Sequence, residues 1–90
     1  YTEMVRAYPN PFNKQLNVSF STKKAGKVAI QITDIEGRLV YQNNGGLLDK
    51  GNYNLRIDLS GMSLAPGMYF MKVSRDGITE NAIKLIKTKN

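Results

Sequence analysis

Neither cysteine nor histidine occurs in these 90 residues, and tryptophan is absent as well. Those absences exclude disulfides, thiolate nucleophiles, imidazole bases and the usual zinc clusters, so packing alone must hold the fold. Long apolar runs are also missing. None approaches the roughly 20 residues of a membrane-spanning helix, and no membrane insertion is expected. No stretch has the charged, apolar, small-residue order of a signal peptide, and the chain opens on Tyr1 rather than methionine, so it reads as a segment of a longer protein. What is present is ordinary for a globular chain: 41% hydrophobic residues, enough for one small domain with a single core.

The net charge of +6 comes from 13 basic against 7 acidic residues. Lys14, Lys27, Arg38, Lys50, Arg56, Lys72 and Arg75 stand singly among apolar positions, as they would on the solvent face of strands. Only Lys84, Lys87 and Lys89 cluster, with a smaller pair at Lys23 and Lys24. No stacked-aromatic motif accompanies them, so a solvated basic surface is expected and no nucleic acid.

Catalysis is tested by elimination. The routes left are paired carboxylates, a serine and lysine pair, or a metal held by oxygen. Asp34 and Glu36 share one turn, where an aspartate capping its own backbone is the commoner role. Asp49, Asp58 and Asp76 are isolated, no calcium-loop pattern occurs, and no strained elbow activates a serine. No catalytic residue, metal or cofactor is therefore expected, and the chain is not expected to be an enzyme.

Apolar residues recur at a spacing of two, the β signature. Leu16, Val18 and Phe20 form one alternating run, and Val28, Ile30 and Ile32 a second, with a turn at Lys23-Lys24-Ala25-Gly26 between them. A third run, Arg38 to Gln42, follows Asp34-Ile35-Glu36-Gly37, where glycine can supply the positive φ of a hairpin. Asn43-Asn44-Gly45-Gly46 predicts a turn, Leu47 and Leu48 a short edge segment, and Asp49-Lys50-Gly51 a further turn. Tyr53, Leu55, Ile57 and Leu59 alternate next, followed by Met68 to Ser74 and a last strand from Ile78 to about Lys87. Six or seven short strands of this kind predict an immunoglobulin-like antiparallel β-sandwich.

Leu64-Ala65-Pro66-Gly67-Met68-Tyr69 fits a tyrosine corner, in which a tyrosine near a strand start bonds backbone a few residues upstream. A plain strand aromatic is the other reading of Tyr69. Either places it inward with Met71 and Val73, leaving Met68 and Phe70 on the opposite face, covered by a long loop or by Leu47 and Leu48. Tyr8-Pro9-Asn10-Pro11-Phe12 is a stiff extended lead-in, since each proline restricts itself and the residue before it.

Four strings now stand in order: Tyr8 to Phe12, Ile32 to Val40, Leu59-Ser60 with Leu64 to Phe70, and Lys84-Leu85-Ile86-Lys87. Together they resemble the C-terminal sorting domain, type A, of the type IX (Por) secretion system, from about Tyr8 to Lys87. The resemblance implies a non-catalytic module at the end of a cargo protein of Bacteroidota-like bacteria. Such cargo crosses the periplasm and outer membrane through the type IX translocon to the cell surface or medium. In many members a sortase-like surface peptidase then removes the module.

Carried onto this chain, the resemblance makes residues 1–7 the end of a linker from the cargo and residues 8–90 the domain. Partner recognition would concern Lys84, Leu85, Ile86 and Lys87, with Gly37, Arg38, Gly67 and Tyr69. Thr88-Lys89-Asn90 extends past the family's closing lysine motif. For those lysines the bland role is protection of an edge strand from pairing, and the sharper one is strand addition to a receptor.

Two other classes compete. A structural or adhesive spacer would share the middle of the chain, since the hook-capping protein of flagella has a similar Asp-x-x-Gly-Arg turn and Pro-Gly-x-Tyr strand start, but not both ends. A carbohydrate-binding module needs two or three aromatics on one face, for which Phe70, Tyr41 and Tyr1 are the candidates.

Overall fold

Seven strands account for the periodicity: β1 Val5–Tyr8, β2 Gln15–Thr22, β3 Gly26–Asp34, β4 Leu39–Leu48, β5 Gly51–Asp58, β6 Gly67–Arg75 and β7 Ile78–Lys87. This computed structural model describes residues 5–89; Tyr1 and Asn90, both weighed above, lie outside them. Pairing is antiparallel throughout, in a three-stranded sheet β1-β2-β5 and a four-stranded sheet β4-β3-β6-β7. The order β4-β3-β6-β7 is that of the larger sheet of an immunoglobulin-like sandwich, and β2 to β3 is a crossing between sheets.

Alternation decides which side chains meet. Leu16, Val18 and Phe20 from β2 face Val28, Ile30 and Ile32 from β3 and Tyr69, Met71 and Val73 from β6, and all are buried. Ile57, Leu59, Phe12 and Leu85 complete the core. The predicted inward sets are the observed ones, because one face of each sheet must leave water and a period of two selects it.

Two expectations are corrected. Asn43 to Gly46 is no turn: β4 runs unbroken from Leu39 to Leu48, and Leu47 and Leu48 are its last residues rather than a separate segment. β3 pairs with this stretch and satisfies its main chain, and the extra residue falls in a bulge where Val28 faces Gly46 and Ala29 faces Asn44. The second correction concerns cover for Met68 and Phe70. Leu47 faces Lys27 at one end of β3, whereas Phe70 faces Thr33 near the other, so β4's end is too far away to shield it. β1 begins at Val5, and Val5 to Ala7 pair with Phe20 to Val18.

The β3–β4 hairpin is set by its aspartate. Asp34 Oδ1 accepts the main-chain N–H groups of Glu36 and Arg38, both at 2.9 Å, and Oδ2 accepts Arg38 Nε at 2.9 Å. Gly37, at φ +85°, takes the left-handed position that a side chain would strain. Asp34 is thus the capping residue its place in the turn predicts.

Candidate functional site

The two ends of the chain meet. Pro9 and Pro11 carry no N–H, so the segment around them cannot run a full ladder along a neighbouring strand. Asn10 supplies the missing groups from its side chain: Nδ2 donates to the Lys84 carbonyl at 3.0 Å, and Oδ1 accepts the Ile86 N–H at 3.0 Å. A carboxamide has one face like a peptide unit, and here it stands in for one. Phe12 continues with its own main chain, donating to the Ile86 carbonyl and accepting from the Thr88 N–H, each at 2.8 Å. The Thr88 hydroxyl adds a bond to the Phe12 carbonyl at 3.0 Å. Tyr8 to Phe12 therefore forms a strap along the outer edge of β7, ending in a parallel bridge between Phe12 and Lys87.

The strap is anchored in the core. Phe12 is 1% exposed and meets Tyr69 edge-on, with ring centroids 6.4 Å apart. Tyr69 in turn donates its hydroxyl to the Ala65 carbonyl at 2.6 Å. That bond, four residues upstream at the start of the sixth strand, is the tyrosine corner. Gly67, at φ +141°, opens the strand just before it.

Register gathers the remaining candidates at the same end of the four-stranded sheet. Asp34 faces Tyr69 and Tyr69 faces Leu85; Gly67 faces Lys87. The hairpin turn with Gly37 and Arg38 thus adjoins residues 65–69 across a shallow depression of about 210 Å³, and these adjoin Lys84 to Lys87.

Proximity does not make their roles equal. Leu85 is fully buried and offers a partner no side-chain surface, and Tyr69 is 6% exposed, showing only a margin at the depression. Lys84 points outward beside Phe70, while Lys87, an odd number of residues on, falls on the opposite face, where its half-buried side chain donates Nζ to the Thr88 carbonyl at 2.9 Å. The two lysines do not form one charged pair on a common face. Arg38 is exposed but already engaged, paired with Asp34 at 2.9 Å and with Glu36 at 3.0 Å.

Thr88 belongs to the candidate site through its bonds to Phe12, and sequence reasoning missed it. It looked like an appendage to the lysine motif, and no local pattern marks a partner 76 residues away. The sugar platform loses a member. Tyr41 sits opposite buried Ile32 and packs on the core, leaving Phe70 as the one outward candidate among the described residues.

Removing the Asn10 side chain deletes both of its bonds and exposes main-chain groups on an edge strand. Asn10→Ala should lower stability by about 1–3 kcal/mol, from two hydrogen bonds partly replaced by water. It should also speed amide exchange at Ile86, where the bond is lost directly. Chemical denaturation and hydrogen exchange would measure the two; unaltered exchange at Ile86 would contradict the strap.

Among the described residues two carboxyls are held below the ordinary aspartate range. The main-chain N–H of Arg38 holds Asp34 below the ordinary aspartate range, helped by the Arg38 side chain and the Glu36 N–H against some desolvation, and Ser60 does the same for Asp58. A carboxyl whose folded value is depressed stabilises the fold above its unfolded value, and that contribution disappears as pH falls through the folded one. The urea midpoint difference between the parent and Asp34→Asn should thus be largest at neutral pH and shrink below about pH 4. A difference independent of pH would show that charge on Asp34 is irrelevant.

Among the described residues no group of histidine, cysteine, aspartate or glutamate could hold a metal, and no helix is long and apolar enough to cross a membrane. A family model described as a secretion system C-terminal sorting domain matches residues 6–88. No curated protein and no solved structure matches the chain.

Proposed function

We infer this chain's role from one premise: it belongs to the family of secretion system C-terminal sorting domains. It is a type IX C-terminal secretion signal, of a kind that is generally non-catalytic. We propose that it carries a cargo protein, joined ahead of β1, across the outer membrane through the type IX translocon to the cell surface or medium. A sortase-like peptidase at the surface would then act on the joint.

The observation that carries this reading is the match over residues 6–88, which includes both end motifs; a spacer module, sharing only the middle, is not favoured. The geometry supports it further, since the strap and the terminal strand make one structure from the two ends. In this reading Lys84 and Ile86 offer side chains to the machinery, Arg38 and Gly37 shape the neighbouring turn, and Leu85, Tyr69 and Gly67 act by holding the surface in place.

A reporter fused ahead of the full domain should reach the medium in a host that has this system. The same fusion lacking Lys84 to Asn90 should accumulate in the periplasm. Export of the truncated fusion at the full-length rate would overturn the proposal.

A further inference from the structure

A partner can read Lys84 to Lys87 through the main chain or through side chains. The main-chain route is closed in the folded domain, because the outward groups of Lys84, Ile86 and Thr88 are bonded to Asn10 and Phe12. Strand addition at this end would have to expel the strap and pull Phe12 from the core. Side chains remain.

Those available stand on the outer face of the four-stranded sheet. Leu39, Thr33, Phe70 and Lys84 form one cross-strand row, Met68 lies beside Ile86, and Lys72 beside Ala82. Their neighbours Ile32, Tyr69, Met71 and Leu85 take the opposite, buried face. Leu39 is 51% and Met68 39% exposed, so the face presents an apolar strip flanked by two lysines. Among the described residues no carboxylate stands in these rows; Asp34 and Glu36, in the neighbouring turn, are paired with Arg38.

This chemistry discriminates between occupants. An anionic membrane is read by clusters of roughly 4–8 basic residues, and this face offers three, Lys72 and Lys84 beside the strip and Lys27 at the far end of β3. A second copy docked face to face about a two-fold axis would set Lys72 and Lys84 against like charges. A protein with carboxylates beside an apolar contact satisfies both the strip and its flank.

We propose that the outer face of β3, β6 and β7, with Met68, Phe70 and Ile86 as its apolar strip and Lys72 and Lys84 as its charges, is the docking surface for an acidic protein partner. It rests on the sorting reading only in naming that partner as part of the type IX apparatus.

The test uses the full fusion with the double variant Lys72→Glu/Lys84→Glu, and Lys14→Glu/Lys50→Glu as a charge-matched control on other surfaces. The first should lower export by about tenfold or more, as like charges meet at the contact, with the urea midpoint unchanged. The control should export normally. A photo-crosslinking residue in place of Ala82 should capture an outer-membrane type IX component, and lose it in the Lys72→Glu/Lys84→Glu background. Normal export by that variant with the crosslink retained would overturn the inference. So would charge-dependent binding to phosphatidylglycerol vesicles without the crosslink, which would assign a lipid surface, or a dimer in sedimentation that the reversal abolishes. If even the fusion lacking Lys84 to Asn90 exports normally, the sorting reading fails; sensitivity to truncation without sensitivity to reversal sinks this docking surface alone.

Discussion

Phe12→Ala is expected to cost the domain about 3–5 kcal/mol, the usual loss when a buried phenyl ring is deleted and its site cannot fully collapse. Against a total of roughly 5–15 kcal/mol for a domain of this class, that is a large fraction. The ring is 1% exposed and lies edge-on to Tyr69, so the cavity would open beneath the tyrosine corner. Its main chain also holds Ile86 and Thr88, and loosening the anchor should loosen the strap. Urea denaturation followed by circular dichroism would measure the loss. A cost below about 1 kcal/mol would mean that the strap is not keyed into the core.

Leu85→Ala should cost about 2–5 kcal/mol, whereas Lys84→Ala, one residue away, should change stability by less than about 0.5 kcal/mol. The contrast follows from strand alternation: Leu85 is fully buried between the sheets and Lys84 stands in solvent. A sorting defect in Leu85→Ala would therefore report a damaged fold, and one in Lys84→Ala a damaged contact. Denaturation midpoints of both variants, read beside export of the same fusions, separate the two causes. Equal midpoints would refute the assignment of Leu85 to the core.

Much of the architecture was legible because a half-buried strand writes its burial into every second residue. Leu16, Val18 and Phe20, and again Val28, Ile30 and Ile32, needed no knowledge of their neighbours to be assigned inward. The Asn43 to Gly46 stretch misled for the complementary reason. Asparagine and glycine favour turns locally, but an antiparallel partner satisfied their main chain and a bulge absorbed the surplus residue. The tyrosine corner was readable since its hydroxyl bonds a carbonyl only four residues away.

The two end motifs show where local reading stops. The sequence alone determined that Tyr8 to Phe12 is stiff and that Lys84 to Lys87 is strand, both consequences of proline geometry and side-chain periodicity. It grouped Lys84 with Lys87, and Leu85 with both, as one recognition set. Only the tertiary structure decided that the motifs are bonded to each other, that Leu85 is core, and that the two lysines part to opposite faces. The physical reason is separation along the chain. A hydrogen bond between Asn10 and residues 74 and 76 positions later leaves no periodic trace in either segment, because it depends on how two sheets close rather than on what either strand prefers.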